Sequence, residues 1–230
     1  MKYTLIASSI LIFLFAFTEL DAQKRRFRPK QRFHAGLILG ANLSQIDGDD
    51  HTGYDKIGVL GGLQGVAVIS RRVELVAELL YSQKGAKVEY LDTVHPKKER
   101  ILGLNYAEVP ILVRINITPN AGDKYKKIEL EAGFSFAGLV QTDIKENLDR
   151  LTYSFTDVSD DFQSNEVNFI IGAQTEIFNN MRLGIRSSNA LTRVYVNENK
   201  SNRQVFLGFQ DPYNFFRNYH LSFYASYQIY

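Results

Sequence analysis

The chain has 230 residues, 45% of them hydrophobic, with 27 basic and 25 acidic side chains and a formal net charge of +2. That length suits a single domain with a substantial core, and the near-even charge balance gives no ground for a nucleic-acid partner. With no cysteine at all, an exported chain of this kind has no disulfide framework to rely on.

The N-terminus reads as a secretory signal over residues 1–22. Lys2 supplies the positive start, Leu5 to Phe17 the apolar run, and Glu19 to Ala22 the cleavage region before Gln23. A basic periplasmic tail follows over residues 23–32, with Lys24, Arg25, Arg26, Arg28, Lys30 and Arg32, read as a solvated segment. Beyond it no run approaches the roughly 20 apolar residues a membrane-spanning helix needs.

Residues 33–230 alternate. From Val73 the odd positions read Val73, Leu75, Ala77, Leu79, Tyr81, and the even ones include Glu74, Glu78 and Ser82. Val109, Ile111, Val113 and Ile115 alternate with Arg114 and Asn116, and Tyr219 to Ile229 do the same to the end. Successive strand side chains point to opposite faces, so every such strand has one uncharged face. Eight strands are predicted, at 33–42, 57–70, 73–84, 103–117, 127–140, 166–177, 181–188 and 218–230. Long connections (43–56, 85–102, 141–165, 189–217) alternate with tight ones (71–72, 118–126, 178–180). That rhythm of long extracellular loops and short periplasmic turns predicts an all-β fold, an eight-stranded antiparallel transmembrane β-barrel in the outer membrane.

The rival is a soluble barrel whose apolar parity lines a ligand cavity. Lipid is favoured by the placement of Gly36, Gly40, Gly58, Gly62, Gly133, Gly172 and Gly184 on the polar parity, where small residues make room in a crowded lumen. It is also favoured by Phe33, Tyr81, Tyr219 and Tyr227 near strand ends on the apolar parity, where interfacial aromatics belong. Pro110, inside the fourth strand, has no N–H to donate and predicts a bulge or a lumen-side water.

Three segments carry a family resemblance: Gly40-Ala41-Asn42-Leu43-Ser44 with Asp47-Gly48-Asp49, then Glu78 to Ala86, then Leu104 to Leu112. They resemble the small PorT-type outer-membrane β-barrel proteins of Bacteroidota. The resemblance implies an eight-stranded barrel, makes Pro110 a family feature, and points to an accessory role in type IX secretion. It also implies insertion by the barrel-assembly machinery, although Tyr230 falls on the polar parity where the family places an aromatic facing lipid. Either a bulge shifts the last strand or Ile229 carries the terminal signal.

The polar parity holds Glu74, Glu78, Glu108, Arg114, Glu129, Glu131, Glu176, Arg182 and Arg186. An eight-stranded barrel has a lumen just wide enough for side chains, and an unpaired buried charge is costly. A lumen ion network of Glu78, Glu108, Arg114, Glu129, Glu131, Glu176, Arg182 and Arg186 is therefore expected to plug it. Neither a catalytic set nor a cofactor or metal site is expected. His34, His51, His95 and His220 assemble with no nucleophile, and Asp47-Gly48-Asp49-Asp50 lacks the spacing and closing Glu of a calcium loop. In the longest loop, Phe206, Phe209, Tyr213, Phe215 and Phe216 form either a contact with an envelope or secretion-system protein or the core of an extended hairpin. The function expected is a non-enzymatic structural or interaction component of the envelope. The alternative is a small-solute porin or a lipid-active enzyme, and outer-membrane lipid is a partner in either case.

Overall fold

Each predicted alternation becomes one long antiparallel strand. The computed structural model describes residues 32–47, 53–90, 98–118, 127–146, 163–178, 180–193, 195–196 and 215–229. The strands are β1 (Phe33–Asp47), β2 (Lys56–Val68), β3 (Val73–Tyr90), β4 (Lys98–Asn116), β5 (Ile128–Glu146), β6 (Asn165–Phe178), β7 (Met181–Ala190), the two-residue β8 (Tyr195–Val196) and β9 (Phe215–Ile229). Every long strand pairs with its neighbour in sequence, and β7 pairs with β9. β9 then pairs with β1 from Ala35 opposite Ile229 to Asp47 opposite Arg217, closing an eight-stranded barrel with no free edge along its belt. β8 lies outside the ring and only extends β9, pairing Tyr195 with Phe216.

The two faces of this sheet differ in kind. Leu39, Leu63, Leu79, Ile111, Phe134, Ile171 and Tyr227 point outward and are exposed, while Glu78, Glu108, Arg114, Glu131 and Arg186 point into the lumen and are buried. Leaving a large apolar side chain in water forgoes about 1.5–3 kcal/mol relative to burying it. A belt of them running round the whole barrel far exceeds the patches that soluble monomers carry. On β3 the outward apolar run from Val73 to Tyr81 covers nine residues, which matches the length a tilted strand needs to cross a bilayer. The soluble alternative, with the apolar parity inside, is excluded by this inversion. Spin labels at Leu75, Ile111 and Phe223 are expected to be quenched by a lipid-soluble relaxation agent, and labels at Glu78 and Arg114 are not. The opposite pattern would contradict the inside-out arrangement.

Glycines sort by the same rule. At Gly184 an added Cβ would collide with the ring and hydroxyl of Tyr224, and at Gly172 it would press on Arg186 and Glu131. On the outward parity, Gly138 has nothing within 4 Å of that position. The lumen needs these small residues to hold its large ones.

One expectation needs correction, and two either-or expectations lose their bulge. Pro110 causes no bulge. The ladder to β3 is interrupted opposite Glu78 and Leu79 and resumes in the same register, while Pro110 stays aligned with Ser135 on β5. A proline removes one donor, and the strand accommodates that loss by skipping local pairing on one side. The bulge in β4–β5 lies five residues away, where the register shifts between Asn105 and Tyr106. Second, the strands run further toward the loops than predicted. β3 and β4 pair as far as Tyr90 opposite Lys98, and β4 and β5 as far as Arg100 opposite Glu146. Those extensions stand above the apolar belt, so no lipid-facing alternation marks them in the sequence. Third, no bulge shifts β9. Its pairings with β7 and β1 keep one register throughout, Gln228 is buried and Ile229 is exposed. Tyr230 lies outside the described residues, as do residues 1–31, which hold the segment read as a signal and all of the segment read as a basic tail except Arg32.

Candidate functional site

The lumen is built from the inward parity of all eight long strands, and its charges form two clusters rather than one. The larger lies toward the turn end. Arg186 of β7 reaches across the barrel and grips Glu78 of β3 with both terminal nitrogens, at 2.6 and 2.8 Å. Its Nε donates to Glu131 of β5. Arg114 of β4 shares Glu131 at 3.3 Å and also reaches Glu74 at 3.2 Å. Arg182 pairs with Glu129 at 3.4 Å and donates to Gln228 at 3.0 Å. Neutral groups donate further hydrogen bonds to these carboxylates. Gln64 donates to Glu78 at 2.7 Å, Gln174 to Glu129 at 2.5 Å, and the Tyr224 hydroxyl to Glu131 at 2.6 Å. The Arg186 guanidinium also stacks over the Tyr224 ring, 4.3 Å from its centroid. Bidentate and charge-assisted bonds of this kind are the strong ones, and they offset part of the cost of burying these charges.

The second cluster sits toward the loops. Lys84 of β3, fully buried, pairs with Glu108 at 3.0 Å and Glu166 at 3.1 Å. Ser135 donates to Glu108 at 2.5 Å, Asn168 to Ser135 at 3.2 Å, and Asn218 to Glu166 at 2.6 Å. The Tyr106 ring lies 5.1 Å from the Lys84 ammonium. Between the clusters, Ile38, Leu60, Leu80 and Tyr224 form an apolar layer, and Asn42 bridges Ser82 and Ser222 at 3.0 and 2.8 Å.

Of the eight residues expected to form one network, Glu78, Arg114, Glu129, Glu131, Arg182 and Arg186 come together. Glu108 does not join them. It stands six residues along β4 from Arg114, about 20 Å at ~3.3 Å per residue, and finds Lys84 instead. Glu176 is not in the lumen core either. It pairs with Lys127 at 3.2 Å at the turn-end mouth, with both side chains partly exposed. Lys84 and Glu166 were missed, although the parity that selected Glu74, Glu78 and Glu176 runs through both. His34 and His220 lie near opposite ends of β1 and β9, opposite Val66 and Ser44 respectively. Among the described residues no group of His, Asp and Glu is arranged to hold a metal ion. Phe215 and Phe216 belong to β9 and pair with β8, which places them in a hairpin extension. Phe206, Phe209 and Tyr213 lie outside the described residues, as do His51 and His95.

A closed barrel with a lipid-facing belt and a polar plugged lumen is the outer-membrane pattern, and a sequence comparison decides the family. Residues 21–196 match the family described as outer membrane protein beta-barrel domain. The chain belongs to that family. It is an outer-membrane protein. The barrel is also similar in fold to Ail, the attachment invasion locus protein of Yersinia pestis, at 10% identity and a TM-score of 0.43, over 86% of this chain and 100% of that one. A second structure of Ail, in complex with the heparin analogue sucrose octasulfate, aligns at 11% identity and a TM-score of 0.40 over the same shares. The outer membrane protein AlkL, determined in DMPC bilayers, aligns at 10% identity and 0.34, over 90% of this chain and 96% of that one. No curated protein matches the chain.

Proposed function

We propose that this outer-membrane barrel is a non-enzymatic structural or interaction component of the envelope, of the PorT type and accessory to type IX secretion. The filled lumen carries the reading. Two ion-paired clusters and the apolar layer between them occupy a barrel whose eight strands leave room for side chains and little else. A plugged barrel is a rigid scaffold, and loops held on rigid scaffolds are where binding sits. The secretion role rests on the resemblance carried by Gly40 to Ser44, Glu78 to Ala86 and Leu104 to Leu112.

The test is a planar-bilayer recording on the purified, refolded chain. Flat traces are expected, and defined single-channel steps would overturn the reading in favour of a porin. On the same preparation, shortening the segment from Asn199 to Asp211 should leave heat-modifiable gel mobility intact but weaken co-purification with a secretion component. Retention of that partner by the shortened chain would move the contact to another loop.

A further inference from the structure

At the turn end, the lumen opens into a small chamber of about 90 Å³, room for several waters or one tetrahedral oxyanion. Its lining is cationic. Arg71 and Arg72 from the β2–β3 turn, Arg114, Lys127 and Arg182 face it, against only Glu74 and Glu129. Both carboxylates are already engaged by buried arginines of the inner wall, Glu74 by Arg114 and Glu129 by Arg182. Lys127 is balanced by Glu176. Glu74 and Glu129 balance Arg114 and Arg182 within the wall itself, and Arg72 from the turn adds a further cation to the lining.

Two further features point to a ligand. Arg182 is more than nine-tenths buried, and its Nε, although 3.4 Å from Glu129, is not aligned to donate to it or to any other group. A buried guanidinium N–H without an acceptor costs free energy that an anion in the chamber would recover. The backbone of the turn that carries Arg72 is also held in place. Ser70 Oγ accepts from the backbone N–H groups of Arg72 and Val73, and the Arg72 carbonyl accepts from Asn116 at 2.8 Å. Arginine forks match the oxygen spacing of phosphate.

We propose that the turn-end chamber is a binding site for a phosphate oxyanion, with Arg72 at its lip and Arg182 at its floor. By the loop rhythm this end faces the periplasm, where the same chemistry is offered by free phosphate and by phospholipid headgroups of the inner leaflet.

The experiment uses the refolded full chain in zwitterionic detergent. Inorganic phosphate is titrated by calorimetry against chloride at matched ionic strength, and phosphatidylglycerol against phosphatidylcholine by native mass spectrometry. Saturable phosphate binding supports a soluble ligand. Retention of phosphatidylglycerol alone supports a headgroup. In either case the Arg71→Gln/Arg72→Gln double variant, checked for heat-modifiable mobility, should bind roughly tenfold more weakly, the loss of one or two charge-assisted hydrogen bonds. Absence of preference for phosphate over chloride together with absence of preference for phosphatidylglycerol would overturn the proposal. Unchanged binding by the double variant would do so too.

Discussion

Replacing Arg186 with methionine is expected to lower the stability of the folded barrel by about 3–5 kcal/mol, the cost of stranding a buried charge. Arg186 is 4% exposed and serves two acids at once, Glu78 through its fork and Glu131 through Nε. Methionine restores some volume, so the loss isolates the charge rather than a cavity. Arg114 still serves Glu131, but no other cation pairs with Glu78 among the described residues, where Gln64 is its remaining hydrogen-bond donor. Adding Glu78→Gln to the variant should therefore recover a substantial part of the loss. The chain has no tryptophan, so urea unfolding in detergent is best followed by far-UV circular dichroism and by gel mobility. A midpoint unchanged in Arg186→Met would show that water, not a partner, solvates Glu78.

The loop-side cluster predicts an asymmetry. Lys84→Met leaves Glu108 and Glu166, 2% exposed each, without their shared cation, and is expected to cost about 3–5 kcal/mol or more. Glu108→Gln or Glu166→Gln should cost far less, about 1 kcal/mol, because the ammonium keeps one carboxylate and the amide still hydrogen-bonds. The native cluster holds one cation against two acids, so removing an acid brings it to balance. Equal losses in the lysine and glutamate variants would show that hydrogen bonds rather than charge hold this part of the lumen together.

The sequence by itself determined the strands and their faces. A strand repeats every two residues, and here one face meets lipid while the other meets a crowded polar lumen, so parity is written plainly at Leu75, Leu79, Ile111 and Phe223 against Glu78 and Arg114. The same parity predicted that the lumen would be charged and that its crowded positions would need glycine, as Gly184 beneath Tyr224 illustrates. It lost definition above the membrane belt, where β3, β4 and β5 continue with no lipid to impose alternation. Only the tertiary structure decided which charges meet. Arg186 and Glu78 are 108 residues apart and Lys84 and Glu166 are 82 apart. Their contact depends on barrel closure and on the height each strand register assigns. Parity gives a side chain's face but not its level along the barrel axis. Glu108 therefore looked like a partner for the arginines, yet it sits a tier above them beside Lys84. Glu176 shares the parity of Glu131, yet its place at the end of β6 brings it out to the mouth and to Lys127.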